Sequence, residues 1–271
     1  MLYVYLCVLG ASAINLLPDT AMKSKDSMTL DRVLSRLGLA SRTLARQAIA
    51  EGRLKVNGSV VRDPDRWVRL ETDTIHLDGK RLRHARKVYL LFCKPKGAIT
   101  THADPSSRRT VYDYLGKNLS WVSPVGRLDK DSSGLLLLTN DTEFANFVTD
   151  PSSGVEKTYV VKLNGLIDEE SVARLAGGVK LKSGDLAKPV SVKRLEDRGK
   201  YSRLEIVLTE GKNREVRRMV EALGFKVLKL VRTRIGPWRL EHLEAGRYRE
   251  LSPAEIGRFR SSRNSLNRVS A

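Results

Sequence analysis

The stretch GRLDKDSSG places one aspartate, Asp129, six residues before a run of four leucines at residues 135–138. Such a run is typical of a buried central strand, so we expect the carboxylate on a loop anchored at the edge of the core. A carboxylate held in this way can act as a nucleophile or a general base. Alternatively, Asp129 or Asp131 only shapes a turn by accepting hydrogen bonds from backbone amides, and spacing alone leaves both interpretations open.

A second cluster lies in LTEGKNREVRRM, residues 208–219. The pattern predicts a strand end, a glycine turn and a helix over residues 214–223 that is capped by Asn213. On this helix Arg214, Arg217 and Arg218 are expected to share the exposed side, where the helix N-terminus also attracts anions. The alternative is that these arginines only contact phosphates.

A third motif, EKTYVV, opens a predicted strand with an aromatic residue, Tyr159, in a polar setting. A tyrosine there could stack on a nucleobase. Ordinary strand packing is the alternative interpretation.

The elements that must position these residues mix strands and helices without a strict alternation. Strands are predicted at VYLLFCK, GLLLLTN, KTYVVKLNG and RLEIVLTEG, and helices around residues 142–148, 168–176 and 214–223. The fold class predicted is α+β, with a small helical/β domain followed by a domain built on a mixed sheet.

The small domain is predicted from two helical patterns and two hairpin turns. The first helix follows Thr29 and ends at Gly38, and the second runs from Ser41 to Gly52. The inward residues expected are Leu30, Val33, Leu34 and Leu37 on the first helix, and Leu44, Ala45, Ala48 and Ile49 on the second. The pairs Asn57-Gly58 and Asp78-Gly79 predict the turns of two hairpins.

Basic side chains cluster on these helices and at the exit of the second one. They are Arg32, Arg36, Arg42, Arg46, Arg53 and Lys55. Such a cluster can bind phosphates, although a merely solvated face is the alternative. Two short helices, a VNG hairpin and these arginines together resemble the S-four-type RNA-binding domain, and the resemblance implies a protein that binds structured RNA.

Composition points to a polyanionic partner. Among 271 residues, 49 are Lys or Arg and 31 are Asp or Glu, which gives a formal charge of +18. RNA or DNA is the natural inference, and a generally basic surface is the alternative. Two cysteines and four scattered histidines provide neither a disulfide framework nor zinc-ligand spacing, so we expect a reducing compartment and no metal.

We predict four segments along the chain. They are an apolar extension at 1–27, an RNA-binding domain at 28–84, a catalytic domain at 88–251 and a frayed basic tail at 252–271. The extension could be read as a membrane span or a signal peptide, but no Lys or Arg precedes its apolar run. A cytoplasmic monomer without membrane contact is therefore the expectation.

Four motifs in order resemble those of the RsuA/RluB-type bacterial ribosomal RNA pseudouridine synthases. They are KPKGAITT followed by RRTVYDYL, then GRLDKDSSGLLLLTND, EKTYVV and LTEGKNREVRRM. The resemblance implies that Asp129 is the catalytic aspartate, Tyr159 stacks on the uracil and Arg217 is the basic partner of the aspartate. It implies that Arg127 enters the RNA helix when the target nucleotide leaves it. It also implies ribosomal RNA as the partner and a reaction without a cofactor.

Two other functions are compatible with the motifs taken one by one. A metal-dependent nuclease would use Asp129 and Asp131 to share Mg²⁺. A non-catalytic ribosome-binding or assembly factor would need only the basic surfaces. The motifs do not encode which ribosomal subunit or which uridine is modified, nor do they choose between nucleophilic attack at ribose C1′ and a glycal route.

Overall fold

A computed structural model describes most of the chain from Ser27 onwards. It covers residues 27–37, 39–70, 72–82, 86–102, 104, 106–116, 119 and 121–269, with the backbone alone over 262–269. The predictions for residues 1–26, for Gly38 as a helix end and for residue 84 as the end of the RNA-binding domain lie outside the described residues.

The first part of the described chain contains two helices followed by short strands. These elements are β1 (Met28–Thr29), α1 (Leu30–Arg36), α2 (Arg42–Ala50), β2 (Leu54–Val56), β3 (Ser59–Val61), β4 (Trp67–Val68), β5 (Ile75–Leu77) and β6 (Lys80–Arg81). Strands β3, β2, β5 and β6 form one antiparallel sheet in that order, and both predicted hairpins are confirmed.

The core of this part is made by the apolar sides of the two helices and the inner face of the sheet. All four residues predicted to face inward from α1 are buried. The prediction for Leu44 was wrong, because α2 buries Ala45 and Ile49 and leaves Leu44 46% exposed. Positions 45 and 49 are four apart and share one helix face, whereas position 44 is turned away from it.

The second part of the chain alternates strands with four helices. Its elements are β7 (Tyr89–Lys94), β8 (Ser123–Val125), β9 (Ser133–Thr139), α3 (Thr142–Thr149), β10 (Lys157–Leu163), α4 (Glu169–Gly177), β11 (Val179–Lys180), β12 (Leu186–Ala187), β13 (Ser191–Arg198), β14 (Tyr201–Leu208), α5 (Glu215–Ala222), β15 (Val227–Ile235), β16 (Trp238–Arg239), β17 (Tyr248–Glu250) and α6 (Pro253–Val269). Single 3₁₀ turns occur at Val111–Tyr114 and Pro151–Ser153.

A large mixed sheet organises this part. Its strand order is β13-β14-β10-β15-β9-β7-β17, with β16 added to β15 and β8 added to β9. The pairing of β15 with β9 is parallel, whereas the other pairs along the sheet are antiparallel. The sheet and the helices around it confirm the α+β prediction.

Strand β9 lies at the centre of the core and is covered on both faces. Leu136 and Leu138 pack into a cluster with α4 and α5, whereas Leu135 and Leu137 pack into a second cluster with α3 and α6. Side chains alternate between the two faces of a strand, so a strand that is covered on both faces has a continuous run of apolar residues in its sequence. Because β9 is buried on both faces, it is a rigid support for the GRLD loop that precedes it.

The prediction of a frayed tail after Ser252 was wrong, because residues 253–269 form helix α6. Ile256 and Phe259 are buried against the second cluster, where Phe259 contacts Trp238 at a ring distance of 4.7 Å. Arg260 adds a 2.7 Å ion pair to the buried Asp141. Two apolar anchors three residues apart are enough to dock one face of an otherwise basic helix. None of the helices in the described part of the chain is long and apolar enough to cross a membrane.

Candidate active site

Asp129 lies in the loop that leads into β9, as the sequence predicted. Its side chain is 30% exposed and lines a cavity of about 290 Å³. The amide of Ser132 donates to the backbone carbonyl of Asp129 at 3.0 Å, which closes a tight turn. A partly exposed carboxylate on a closed turn is available to a substrate while its position is restricted.

Side chains at the end of β7 and in the segment after it form hydrogen bonds to the backbone of the Asp129 loop. Lys94, which is fully buried, donates from Nζ to the carbonyl oxygens of Asp129 at 3.1 Å, Ser132 at 2.8 Å and Pro95 at 3.2 Å. Thr100 adds a hydroxyl hydrogen bond of 2.8 Å to the carbonyl of Leu128. Burial lowers the pKa of Lys94 to about 8, although the nearby Asp129 and Asp131 favour its charged form.

The turn between β14 and α5 brings a guanidinium to the carboxylate. Arg214 Nη1 lies 3.8 Å from Asp129 Oδ2. Arg214 is the residue before the helix and adopts a left-handed backbone conformation with φ of 49°. The prediction that Asn213 caps this helix was therefore wrong, since the cap position falls one residue later and has no side-chain hydrogen bond to the helix.

Arg217 faces the protein interior, which corrects the expectation that three arginines share an exposed face. It is 8% exposed, and Nη2 donates to the carbonyl of Asp131 at 3.1 Å while Nη1 donates to that of Val227 at 3.4 Å. Burial and the neighbouring Arg214 lower the pKa of Arg217, but a guanidinium stays charged at working pH. Arg217 thus contacts the backbone of the aspartate loop, Arg214 lies beside the carboxylate, and Arg218 is only partly exposed.

Tyr159 enters the same cavity from β10 and is 7% exposed. Its hydroxyl is 3.5 Å from Nη1 of Arg232, and the Arg232 guanidinium lies 6.0 Å from the ring centre. Arg232 in turn donates from Nε to the carbonyl of Leu135 at 2.7 Å, which ties β15 to β9. Gly134 makes this approach possible, because a Cβ there would overlap the Arg232 backbone at a φ of +102°.

Two carboxyl groups, those of Glu210 and Glu215, line the cavity together with Arg214. Glu215 is 3% exposed and accepts from the amide of Lys212 at 3.0 Å. Burial and the adjacent Glu210 raise the pKa of Glu215 to about 7. On the same side, Lys157 donates to the carbonyl of Thr209 at 2.7 Å, and burial lowers the pKa of Lys157 to about 8.

Arg127 is exposed and lies at the rim of the cavity that contains Asp129. The predicted phosphate-binding residues of the small domain fall into two groups. Arg42, Arg46 and Arg53 are engaged in ion pairs with Asp31, Asp65 and Asp78 at distances of 2.6–3.2 Å. Arg32, Arg36 and Lys55 are exposed, and none of them forms an ion pair with another residue in the described part of the chain.

Sequence reasoning missed Lys94, Thr100, Glu215 and Arg232 as parts of the site. A signal for Lys94 was present, since it ends the buried strand YLLFCK and a buried ammonium group needs several acceptors. Asp129, Tyr159 and Arg214 line one cavity, whereas Arg217 supports it from behind. Over the residues that the structure describes, no three His, Cys, Asp or Glu side chains converge as a metal site.

Comparison with known proteins identifies the family. A family model for RNA pseudouridylate synthase matches residues 88–222, and the S4 domain model matches residues 28–75. The chain is 39% identical over 234 residues to the ribosomal large subunit pseudouridine synthase B of Bacillus subtilis, covering 86% of this chain and 95% of that protein. The chain belongs to the pseudouridine synthase family.

Other members of the pseudouridine synthase family agree with this assignment. An uncharacterized RNA pseudouridine synthase of Aquifex aeolicus is 38% identical over 231 residues, covering 85% of this chain and 92% of that protein. A crystal structure of a pseudouridylate synthase superimposes with a TM-score of 0.62 at 32% identity, covering 85% of this chain and 98% of that one. The family predicted from the motifs is confirmed.

Proposed function

We propose that this pseudouridine synthase isomerises one uridine of ribosomal RNA, with the carboxylate of Asp129 acting on the flipped-out nucleotide. The observation that carries the proposal is the placement of Asp129 in an open cavity, with Arg214 at 3.8 Å and Tyr159 in the same lining. Ribosomal RNA is the substrate class in the name of the Bacillus subtilis relative. The reaction breaks the bond between ribose C1′ and N1 and forms one to C5, which needs no outside electron source or cofactor.

Asp129 must be ionised for either route that the chemistry allows. It can attack ribose C1′ as a nucleophile, or remove a ribose proton to give a glycal. Arg214 supplies a positive charge beside the carboxylate, and Arg217 supplies a second one that also holds the loop through the Asp131 carbonyl. Tyr159 provides a ring on which the uracil can stack.

Flipping the target nucleotide costs a few kcal/mol, which phosphate contacts elsewhere must offset. Arg127 at the cavity rim is suited to enter the RNA helix in place of the nucleotide. The exposed Arg32, Arg36, Lys55 and Arg214 are suited to contact phosphates. Arg218 lies one helical turn beyond Arg214 on α5 and is suited to the same contact. We further propose that the protein acts in the cytoplasm as a monomer.

The direct test is Asp129→Asn, with Asp131→Asn as the matched control on the same loop. Pseudouridines would be mapped in ribosomal RNA from cells with and without the gene, and turnover would then be measured on the RNA fragment so identified. We expect Asp129→Asn to abolish pseudouridine formation while RNA affinity stays within a few-fold, and Asp131→Asn to retain turnover. Full turnover by Asp129→Asn would refute the catalytic assignment, and strand cleavage that a chelator blocks would indicate a nuclease.

A further inference from the structure

One face of the large sheet is open to solvent over β13, β14 and β10. The other face of these strands packs on α4 and α5, where Val161 and Leu204 join the first cluster together with Leu175 and Met219. The second cluster, which covers the opposite face of β9, includes none of the described residues of β10, β13 and β14. Along β14 the side chains alternate between buried and partly exposed positions, so every second residue faces solvent.

Three cationic side chains lie side by side across this open face. Lys162 of β10 is paired in register with Arg203 of β14 on one side and with Lys229 of β15 on the other. Residues directly opposite each other on adjacent strands point to the same face, and adjacent strands are only about 4.8 Å apart. We call Arg203, Lys162 and Lys229 the cation row. All three line an open cavity of about 400 Å³.

The cation row carries more positive charge than its neighbours neutralise. Arg203 forms a 2.7 Å ion pair with Glu196 of β13. Lys162 Nζ lies 3.4 Å from the ring centre of Tyr201, which positions the ammonium group but leaves its charge. Neither Lys162 nor Lys229 forms an ion pair with a carboxylate in the described part of the chain. Like charges directly opposite each other destabilise a sheet, so this arrangement points to an anion that spans the row.

We propose that the cation row binds the sugar-phosphate backbone of a second segment of the ribosomal RNA, away from the target nucleotide. Such a backbone supplies several negative charges in series, as a row of cations requires. Next to the row, Val160 and Val231 are paired in register and provide an apolar floor, and Tyr201 provides an aromatic ring. These groups can contact ribose and bases. Glu205, an acid on the same face, is paired in register with Lys193, so it does not neutralise the row.

The cation row cannot contact a nucleotide that occupies the Asp129 cavity. Tyr159 and Val161 alternate with Val160 and Lys162 along β10, so Tyr159 lines the Asp129 cavity from one face while Lys162 lies on the other. The target nucleotide and the second RNA segment therefore contact opposite faces of the same sheet. It follows that the row contributes to the binding of long RNAs and is dispensable for turnover on short ones.

This inference rests on ribosomal RNA as the substrate of the proposed function, and its test does not require turnover. Nuclease protection of ribosomal RNA by the wild-type protein would define the full protected region and the shortest fragment within it that still binds. Affinity for both would be measured against salt concentration for the wild type and for Lys162→Gln/Lys229→Gln. For the full region we expect the slope of log affinity against log salt to fall by between one and two, and the affinity at physiological salt to fall about tenfold. For the shortest fragment the slope and kcat should not change.

The comparison of the two RNAs decides the proposal. An unchanged slope for the full region would overturn it. Equal falls for both RNAs would also overturn it, because the lysines would then act only through the general field of the protein. Failure of the wild type to convert any uridine in the protected region would overturn the proposed function and would leave the slopes as they are.

Further variants separate charge from folding. Lys162→Arg/Lys229→Arg keeps both charges and should retain the wild-type slope. Glu196→Gln releases Arg203 from its ion pair, so we expect a slope steeper by up to about one and a higher affinity for the full region. A folding defect does not raise affinity, and unchanged or weaker binding by Glu196→Gln would contradict binding at the row. Arg174→Gln, at an exposed position of α4, is the control for loss of a charge elsewhere, and a fall in slope as large as that of the double lysine variant would overturn the proposal.

Discussion

The ammonium group of Lys94 donates to the backbone carbonyl of Asp129 at 3.1 Å and to that of Ser132 at 2.8 Å, so one buried cation holds both ends of the turn that carries Asp129. Lys94 contacts the loop backbone and leaves the Asp129 carboxylate free. Its expected role is to position the aspartate without taking part in the chemistry.

Replacing Lys94 by methionine should therefore lower kcat much more than RNA affinity. Methionine fills a similar volume but cannot bond the three carbonyls, so the turn that carries Asp129 loses its anchor. We expect kcat to fall on the order of 100-fold, because small displacements of a reacting group are costly. Single-turnover kinetics and a binding titration separate the two effects, and Lys96→Met, at an exposed position two residues later, is the control. Equal losses in kcat and affinity would contradict a positioning role.

Activity and stability should respond in opposite directions to alkaline pH. The pKa of Lys94 is lowered from 10.5 to about 8, so the folded protein releases this proton at a pH where the unfolded chain still binds it. The contribution of Lys94 to the free energy of unfolding therefore increases as pH rises from about 8 to 10.5. Over the same range the neutral amine keeps only two N–H donors for three carbonyls, and kcat should fall. The measurement is a kcat profile alongside denaturant unfolding at each pH.

Lys157 has a pKa lowered to a similar value and serves as the control for that experiment. It bonds Thr209 and not the Asp129 turn. The alkaline decline in kcat should therefore persist in Lys157→Met. If the decline in kcat disappears in Lys157→Met, the titration of Lys157 and not of Lys94 causes it.

Glu215→Gln should stabilise the protein, and more so at pH 8 than at pH 5. Burial and Glu210 raise the pKa of Glu215 from 4.5 to about 7. The protonated carboxyl therefore contributes its full share of the unfolding free energy below pH 4.5, and this share is lost as pH rises through 7. Glutamine has no proton to lose. We expect the gain in unfolding free energy to increase by on the order of 2 kcal/mol between the two pH values, as measured by urea unfolding. A pH-independent difference would mean that Glu215 is not protonated in the folded state.

The position of Asp129 could be predicted from the sequence because a short, unbroken apolar run is typical of a strand buried on both faces. The four leucines of β9 had to be covered on both faces, and the polar residues before them had to form a loop. The same reasoning located β7, whose six residues are all buried. Strands β10 and β14 were located from their β-branched and aromatic residues and, in β14, from the alternation of buried and partly exposed positions.

Contacts between distant segments could not be predicted in this way. Arg217 was expected on an exposed face because helix periodicity describes only the helix itself, whereas the Asp131 carbonyl that binds it comes from 86 residues earlier. Helix α6 was missed because its two anchors, Ile256 and Phe259, are few, and the cluster that receives them is assembled from α3 and β16. Lys94 and Arg232 likewise acquire their roles only from the pairing of β7, β9 and β15.

Gly134→Ala should destabilise the fold at the start of β9, the strand that follows the Asp129 loop. A Cβ at this position would lie 2.8 Å from the Arg232 backbone nitrogen and closer still to its carbonyl oxygen, at a φ of +102°. Neither backbone can move without breaking the parallel pairing of β9 with β15, so we expect a loss of roughly 2–4 kcal/mol in unfolding free energy. Gly177→Ala in α4 is the control, since nothing lies within 4 Å of the added methyl group. Similar stabilities for the two variants would contradict the close approach.

The arginines of the small domain should differ in their contribution to RNA binding according to their ion pairs. Arg53 lies 2.6 Å from Asp78, so its charge is largely satisfied within the protein, whereas Arg32 and Arg36 are exposed on α1. Each phosphate contact that is lost should reduce the slope of log affinity against log salt by about 0.7–0.9. We therefore expect the double variant Arg32→Ala/Arg36→Ala to reduce the slope by between one and two, and Arg53→Ala to leave it nearly unchanged. Filter binding of ribosomal RNA fragments between low and physiological salt gives the slopes. A larger change for Arg53→Ala than for the double variant would place the RNA on the face around β2 and β5 instead of on α1.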